Sequence, residues 1–237
     1  MTPLDDVLDT YTWPDSPWLR TNFVLGIDGS LSRGHSSAGL SSPADNALLH
    51  RLRATADVVL VGASTAVAEN YIGIKLPDSE ASARRDRGQG PPPPLAVVTR
   101  SGRIGHPQRF LTDTITDNFL ILTSDDSEAT DAASAAVDAS DGSMRLIHAP
   151  SGIRQAVDAL KVRGLRHVVC EGGPRLAAAL VDTGLVDELC VTMSPEIGGE
   201  GRTCHTHTVP NRYAPSFCGT VDHFLFTRWT RIPGESD

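Results

Sequence analysis

The sequence HVVCEGGPRLAAAL, residues 167–180, indicates the fold class of this 237-residue chain. A short apolar run, His167–Cys170, ends in Glu171 and two glycines, and Pro174 then opens a stretch rich in Ala and Leu. Proline suits the first position of a helix because its missing N–H would have no helical partner there. Strand, tight turn and helix in this order form the unit of α/β folds with parallel sheets. We therefore predict a strand at His167–Cys170 and a helix at Pro174–Asp182.

The same alternation of apolar runs and helix-like stretches extends over the whole chain. We predict further strands at Leu19–Ile27, Val58–Val61, Leu95–Thr99, Phe119–Thr123, Met144–Ile147, Val186–Met193 and Val221–Thr230, and further helices at Pro43–Ala54, Ser64–Glu69, Glu128–Asp138 and Gly152–Arg163. The last two strands have no helix between them, which favours an antiparallel C-terminal edge. The predicted fold is thus α/β, with a mixed, mostly parallel sheet flanked by helices.

The flanking segments complete the predicted domain organisation. Residues 1–17 are acidic and interrupted by prolines, and we predict an extended N-terminal arm there, followed by one domain at 18–237. The stretch Pro77–Pro94 is first charged and then proline-rich, so it is predicted to be a solvated loop.

Composition excludes several classes of protein. The chain carries 21 Lys and Arg against 29 Asp and Glu, a net charge of −8, whereas binding to nucleic acid needs concentrated positive charge. No apolar run approaches the roughly 20 residues of a membrane span, and the N-terminus does not resemble a signal peptide. Four cysteines without a CxxC pair favour reduced thiols in the cytoplasm. We expect a cytoplasmic protein that binds neither nucleic acid nor membrane.

The turn Gly172-Gly173-Pro174 has two interpretations. Glycines allow another group to approach the backbone, and the N–H groups of the first helical turn favour an anion, so the turn can cradle a pyrophosphate. Taken alone, the pattern is explained as well by a tight strand-to-helix turn. Neither GxGxxG after a strand nor GxxxxGK[ST] occurs, so a standard Rossmann site or P-loop is not supported.

Two further motifs allow both a functional and a structural interpretation. Thr99, Arg100 and Ser101 follow a strand and suit a phosphate monoester such as the 2′-phosphate of NADP, although a solvated turn would carry the same residues. Ser42-Pro43-Ala44-Asp45 is typical of a helix N-terminus, with Asp45 as half of a capping box. The run Cys204-His205-Thr206-His207 matches no standard zinc spacing, and we predict no metal site.

Several segments together resemble a known family. FVLGIDGSLS (23–32), ADVVLVGASTAVAE (56–69), VVTRSG (97–102) and EGGP (171–174) with GLVDELCVTMSP (184–195) are similar to the reductase domain of bacterial riboflavin biosynthesis. WLRTNF, YIGIKL and LAVVTRSGRI most resemble its stand-alone actinobacterial type. The resemblance covers residue 18 to the C-terminus and implies a dihydrofolate-reductase-like fold. The HxE and PCxxC pattern of the deaminase domain often fused to this reductase is missing, so no deaminase activity is expected.

The resemblance also implies a function, a cofactor and a set of site residues. It implies a homodimer that uses NADPH to reduce the phosphorylated pyrimidine 5-amino-6-(5-phosphoribosylamino)uracil to its ribitylamino product. On the cofactor side the implied residues are Val24, Thr65, Glu69, Thr99, Arg100, Ser101, Gly172, Gly173, Pro174, Arg175 and Leu176. On the substrate side they are Ser37, Asp45, Arg53, Lys75 and Glu171, with Asp45 as the candidate catalytic residue.

Other interpretations stay open at this point. A reductase of the same fold that acts on a pteridine such as dihydrofolate also fits, because both substrates present a pyrimidine-like amide edge. A phosphate pocket made by Arg53 and Lys75 would favour the phosphorylated substrate. A non-catalytic NADP-binding sensor is a third possibility, although the presence of Ser37, Asp45, Arg53 and Glu171 together speaks against it. The segment PEIGGEGRTCHTHTVPNR (195–212) departs from the usual family pattern.

Overall fold

The computed structural model describes residues 2–105, 108–202 and 211–233. In chain order its elements are α1 (Leu4–Leu8), β1 (Trp18–Gly26), β2 (Ser30–Ser32), a 3-10 turn (Ser37–Gly39), α2 (Pro43–Thr55), β3 (Val58–Gly62), α3 (Ala63–Ala68), α4 (Asp78–Asp86), β4 (Leu95–Thr99), α5 (Arg109–Thr112), β5 (Asn118–Leu122), α6 (Ser127–Asp138), β6 (Met144–His148), α7 (Ile153–Val162), β7 (His167–Gly172), α8 (Pro174–Asp182), β8 (Glu188–Ser194), β9 (Glu200–Arg202), β10 (Tyr213–Val221) and β11 (Phe224–Arg231). Within the described ranges, no helix is both long enough and apolar enough to span a bilayer.

Nine strands form one sheet in the order β10-β11-β8-β1-β7-β3-β4-β5-β6. β1 is parallel to both of its neighbours, β7 and β8, and the strands from β7 to β6 are all parallel. β11 runs antiparallel to β8, and β10 antiparallel to β11. The predicted mixed, mostly parallel sheet with an antiparallel C-terminal edge is confirmed.

Alternating side chains of the strands build a core on each face of the sheet. In β3 every residue is buried, with Val59 and Val61 in one apolar cluster and Val58 and Leu60 in the other. The first cluster includes α2 residues such as Leu48, and the second includes residues of α7 and α8. Because the central strands are buried on both faces, their sequences are continuous apolar runs.

The prediction of a solvated loop at Pro77–Pro94 is wrong in part, because Asp78–Asp86 forms α4. Arg84 of this helix is only 6% exposed, and its guanidinium donates hydrogen bonds to the carbonyl oxygens of Ala54, Ala56 and Pro91. These contacts satisfy carbonyl groups at the end of α2 and anchor the proline-rich segment. Composition could not predict the helix because a tertiary contact stabilises it.

The two ends of the chain also differ from prediction. The strand predicted at Val221–Thr230 is present as β11 from Phe224 onward, and the prediction missed β10 and the hairpin turn before β11, where Asp222 and His223 have positive φ angles of 48° and 70°. Positive φ at both turn residues is typical of tight hairpins. At the N-terminus the predicted extended arm contains α1, whose Val7 is fully buried in the core. This segment therefore packs as part of the domain.

Candidate functional site

Two adjoining cavities lie where the parallel strands end. The inner cavity, of about 340 Å³, is lined by residues of β1, α2, α3 and the β7–α8 turn. The outer groove, of about 1160 Å³, is lined by the ends of β3 and β4 and by the first turn of α8. Gly173 and Pro174 line both. Ligands of α/β sheets commonly bind at the carboxyl ends of the strands, so this pair of cavities is the candidate site.

The β7–α8 turn forms the wall between the two cavities. Gly172 and Gly173 have φ angles of +141° and +85°, which side chains rarely allow. A Cβ on Gly173 would lie 3.1 Å from Oγ1 of Thr65 and 3.6 Å from Cα of Gly62, so the two strand-to-helix junctions approach closely only because this residue is glycine. Pro174, the first residue of α8, lines both cavities, and Arg175 and Leu176 of the same turn line the outer groove. The geometry therefore suits an anionic group that passes from one cavity to the other.

The outer groove brings together the residues predicted to bind the cofactor phosphates. Thr99, Arg100 and Ser101 line it from the end of β4, and Arg175 and Leu176 line it from α8. The Thr99 hydroxyl accepts a hydrogen bond of 3.2 Å from the Gly102 N–H, which shapes the turn after the strand.

The positive charge of this groove is available to an anion. Arg103, which also lines the groove, forms an ion pair with Glu128. Arg100 and Arg175 are exposed and, within the described part of the chain, form no ion pair. The two guanidinium groups can therefore pair with a phosphate.

The inner cavity contains most of the predicted substrate residues. Ser37, Asp45, Arg53 and Glu171 all line it. The structure does not bring Lys75 to this cavity, because its ammonium group is bound 2.6 Å from Asp113 Oδ1. The predicted phosphate pocket of Arg53 and Lys75 is thus not formed. Val24, Thr65 and Glu69, predicted on the cofactor side, also line the inner cavity.

An ion pair between α2 and β7 forms part of the wall of the inner cavity. Arg53 donates two hydrogen bonds of 2.6 Å to the Glu171 carboxylate, from Nε to Oε1 and from Nη2 to Oε2. Tyr71 donates a third, of 3.1 Å, to Glu171 Oε2. Burial is the largest single influence on Arg53 and lowers its pKa, but the charge and hydrogen bonds of Glu171, together with Tyr71, outweigh burial and raise the pKa of the guanidinium. Burial also raises the pKa of Tyr71, so this hydroxyl is a hydrogen-bond donor at neutral pH.

Asp45 makes only half of the predicted capping box. Its backbone N–H donates to the Ser42 hydroxyl at 3.1 Å, as expected for the third residue of a capped helix. Its carboxylate instead accepts a 2.6 Å hydrogen bond from the Ser41 hydroxyl, and its other oxygen is buried without a hydrogen bond. Burial raises the pKa of Asp45, and the Ser41 hydrogen bond and the nearby Thr192 hydroxyl oppose the shift. A buried, incompletely satisfied carboxyl in a cavity wall is a candidate for substrate binding and proton transfer.

Glu69 joins the cofactor-side helix to the substrate side of the cavity. It follows α3 directly and accepts hydrogen bonds from the Ser36 hydroxyl, at 2.8 Å, and from the Ser37 N–H, at 3.1 Å. Its predicted role in cofactor binding stays a prediction, and the structure adds this second role.

Two site residues were missed by sequence reasoning. Tyr71 lies in the segment AENYIGIKL, where an aromatic residue just after a short helix gave no specific signal. Asn22 lines the inner cavity from the middle of β1, and its side-chain oxygen is buried without a hydrogen-bond partner. A polar amide in a predicted buried strand was the available signal for Asn22.

The predicted absence of a metal site remains a prediction. Cys204, His205, Thr206 and His207 lie outside the described residues. In the ranges that the structure covers, no group of three or more His, Cys, Asp or Glu side chains could hold a metal ion.

Comparisons with known proteins match this architecture. A reductase from Archaeoglobus fulgidus, named 2,5-diamino-6-ribosylamino-4(3H)-pyrimidinone 5′-phosphate reductase, is 26% identical over 189 residues, covering 77% of this chain and 83% of that protein. The riboflavin biosynthesis protein RibD of Aquifex aeolicus is 23% identical over 200 residues, covering 84% of this chain and 52% of that protein. The chain thus spans about half of that longer relative.

Solved structures share the fold. A pyrimidine reductase-like protein from Corynebacterium diphtheriae superposes with a TM-score of 0.81 at 23% identity, covering 98% of this chain and 96% of the other. The Thermotoga maritima deaminase and 5-amino-6-(5-phosphoribosylamino)uracil reductase superposes with a TM-score of 0.69 at 16% identity, covering 92% and 57%. The family model for the RibD C-terminal domain matches residues 17–212, which is most of the chain. This chain therefore belongs to the RibD C-terminal domain family, the reductase family of riboflavin biosynthesis.

Proposed function

We propose that this protein is a cytoplasmic, NADPH-dependent reductase of riboflavin biosynthesis that acts on a phosphoribosylaminopyrimidine, namely 5-amino-6-(5-phosphoribosylamino)uracil. Its family and the activities for which its relatives are named support a pyrimidine substrate. The observation that carries the proposal is the shared glycine wall. It places a groove with two unpaired arginines next to a cavity lined by Asp45 and Ser37.

The outer groove is the proposed cofactor site. The first-turn N–H groups of α8 would hold the pyrophosphate, while Arg100 with the hydroxyls of Thr99 and Ser101 would hold the 2′-phosphate. Arg175 and Leu176 would flank the dinucleotide, and Val24, Thr65 and Glu69 would border its inner end. When bound there, NADPH supplies the hydride that reduces the ribosyl C1′ of the substrate.

The residues of the inner cavity would orient the pyrimidine and supply a proton. Ser37 and Glu171 both line the cavity with polar groups, and Arg53 is held in place by Glu171. Because burial raises the pKa of Asp45, its carboxyl keeps a proton at a higher pH than an exposed aspartate does. This property suits a group that donates a proton to the opened sugar imine.

The charge of the inner cavity supports a second candidate function. Its charged lining residues are Arg53 and the carboxylates Asp45, Glu69 and Glu171, and Arg53 is already neutralised by Glu171. With Lys75 bound to Asp113, this cavity suits a neutral or cationic ring better than a phosphate. The observation favours reduction of an unphosphorylated pteridine, such as dihydrofolate, as the alternative.

One parallel assay separates these candidates. The near-ultraviolet absorbance of NADPH is followed with the phosphoribosylaminouracil and with dihydrofolate under identical conditions. We expect faster oxidation with the phosphoribosylaminouracil. Turnover of dihydrofolate alone would establish the alternative, and tight NADPH binding without turnover of either would indicate a sensor.

A homodimer is the second part of the proposal, supported by an apolar sheet face. Side chains of β1, β8 and β11 that share one face are partly exposed, namely Phe23, Leu25, Leu189, Val191, Met193, Leu225 and Trp229. Helices α7 and α8 pack against β6, β7 and β3 farther along the sheet. We refer to these seven side chains as the open face. Contiguous exposed apolar side chains of this kind commonly mark an interface.

A second copy of the chain is the proposed occupant of the open face. None of its seven side chains is charged, so a two-fold axis can place two copies face to face without repulsion. With β10, the four strands present a footprint of about 500 Å² at usual strand dimensions. This area is of the same order as the roughly 800 Å² that each partner buries in a standard interface. Phe23 also lines the inner cavity, so the dimer would close one side of the site.

A further inference from the structure

Part of the wall of the inner cavity belongs to residues 33–39, which we name the cavity turn. Ser37 and Ala38 of this turn line the cavity. Its shape is set by its own backbone: the Arg33 N–H donates to the Ser36 carbonyl at 3.0 Å, and a Cβ on Gly39 would lie 2.2 Å from the Arg33 carbonyl oxygen. The turn is therefore tied together by its own backbone, and contacts with the rest of the chain set its position.

On its solvent side the cavity turn is held by exposed groups. The His35 N–H donates to Glu200 Oε2 at 2.9 Å, and Arg33 forms an ion pair with Glu196 in which both side chains are about half exposed. Exposed ion pairs contribute little to stability because water screens them and the side chains lose entropy. These contacts are weak anchors.

On its cavity side the turn is held by Glu69. The Ser36 hydroxyl donates to Glu69 Oε2, and the Ser37 N–H donates to Oε1, so both carboxylate oxygens are used. Hydrogen bonds to a carboxylate are stronger than those between neutral groups. Glu69 directly follows α3, and Ser64 and Val67 of α3 line the outer groove. The Glu69 carboxylate therefore connects the groove to the cavity turn.

The Ser36 hydroxyl has a second role in the same turn. While it donates to Glu69, its oxygen accepts a 3.1 Å hydrogen bond from the Ala38 N–H. The hydroxyl thus fixes the backbone on both sides of Ser37. Ser36 itself is not among the residues that line the inner cavity.

We propose that Ser36 is a positioning residue, which acts through Glu69 and the Ala38 N–H to hold Ser37 and Ala38 in the cavity wall. The substrate that the wall contacts rests on the proposed function, whereas the anchoring itself does not. Loss of the hydroxyl leaves the Ser37 N–H as the remaining bond from the turn to Glu69. We expect the turn to loosen and the cavity to bind the pyrimidine less tightly, with little change in the outer groove.

The test compares three variants of the full chain. Ser36→Ala removes the hydroxyl, and Ser36→Thr keeps it on a residue that suits the extended backbone there. Ser32→Ala removes a 3.3 Å hydrogen bond to the Glu200 carbonyl on the solvent side and is the matched control. We expect Ser36→Ala to raise KM for the pyrimidine about 10-fold, as loss of one charge-assisted hydrogen bond does, with kcat and the Kd for NADPH within about 2-fold. Ser36→Thr and Ser32→Ala should behave as the wild type does.

A readout without substrate separates this proposal from the proposed function. Trypsin cleavage after Arg33, which lies in the cavity turn, should be several-fold faster in Ser36→Ala than in Ser32→Ala. An unchanged cleavage rate in Ser36→Ala would overturn the proposal, whether or not the wild type reduces either substrate. Faster cleavage with an unchanged KM would also overturn it, because a loose turn would then not affect the site. A wild type that oxidises NADPH with neither substrate contradicts the proposed function alone.

Discussion

Arg53 of α2 and Glu171 of β7 form an ion pair with two hydrogen bonds, and both N–O distances are 2.6 Å. The Glu171 side chain is 2% exposed and that of Arg53 is 17% exposed. Tyr71 donates to the same carboxylate and lies with its ring 5.8 Å from the guanidinium carbon. This pair fixes the distance between α2, which carries Asp45, and the turn at Gly172 and Gly173.

Removal of one partner of this pair should cost much more than removal of both. We expect Glu171→Ala to lower the free energy of unfolding by about 3–5 kcal/mol, because a buried guanidinium loses its partner. The double variant Arg53→Met with Glu171→Leu should recover most of that loss. Urea unfolding of the single and double variants measures both values. A loss below about 1 kcal/mol for Glu171→Ala would mean that water replaces the carboxylate.

Arg100 should determine the preference for NADPH over NADH. A charge-assisted contact with the 2′-phosphate contributes about 1.5–3 kcal/mol, or roughly 10- to over 100-fold in Kd. We expect Arg100→Ala to weaken NADPH binding by that factor and to leave NADH binding unchanged, as measured by fluorescence titration. Arg103→Ala is the matched control, since Arg103 lines the same groove but is paired with Glu128. Equal effects of the two variants would remove the assignment of Arg100.

Gly173 should matter for cofactor binding beyond its effect on folding. Gly173→Val forces a side chain into positive φ and against Thr65, so both strain and obstruction are expected. Gly164→Val is the matched control, because Gly164 has a similar φ of +82° but no atom within 4 Å of its Cβ position. We expect both variants to lower Tm, Gly173→Val by more, and we expect a loss of NADPH affinity only in Gly173→Val. Normal affinity in Gly173→Val would make the glycine pair a structural turn alone.

A charge on the open face should dissociate the proposed dimer. Leu225 pairs in register with Met193 on that face, so Leu225→Glu places a carboxylate where two copies would meet. We expect a dimer for the wild type and a monomer for the variant by analytical ultracentrifugation at micromolar concentration. Val162→Glu, at an 86% exposed apolar residue of α7, should remain dimeric. A monomeric wild type would contradict the proposal directly.

Local patterns predicted the parts of the molecule that depend on neighbouring residues. The β7–α8 junction could be read from Gly-Gly-Pro because turn and helix chemistry act over a few positions. Arg84 and Lys75 could not be placed, because each is held by groups more than twenty residues away, at Ala54 and Asp113. The bond from Ser36 to Glu69 likewise joins positions that only the fold brings together.

Asp45 illustrates the limit for the site itself. The sequence predicted a helix-capping position, and the backbone N–H of Asp45 does take part in the cap. Spacing alone could not show that the carboxylate would turn to Ser41 and become buried in the cavity wall. The backbone role is local and predictable, whereas the side-chain role depends on β8 and β1 packing beneath α2.

The buried carboxyl of Asp45 should make stability depend on pH in a defined direction. Its pKa in the folded chain is raised above the value of 3.8 expected when unfolded, so the folded state binds this proton more tightly. The resulting stabilisation is present below the unfolded pKa and is lost as the pH rises through the folded pKa. Asn has no such ionisation. The Tm of Asp45→Asn relative to wild type should therefore rise between about pH 4 and neutral pH, as calorimetry can measure.

The same substitution tests whether Asp45 acts in the reaction. As a helix cap alone, the position would contribute about 0.5–2 kcal/mol of stability and leave turnover per folded molecule nearly unchanged. As a proton donor, its loss should lower kcat by about 10²–10⁴-fold, because Asn keeps the size and much of the hydrogen bonding but carries no transferable proton. We expect Asp45→Asn to fold, to bind NADPH as the wild type does, and to lose most turnover with either candidate substrate.

Ser42→Ala is the matched control, since it removes the capping hydroxyl and leaves the carboxylate in place. It should lower Tm and retain kcat. Normal turnover in Asp45→Asn would limit Asp45 to a structural role and leave the proton donor to be sought among the other groups of the inner cavity.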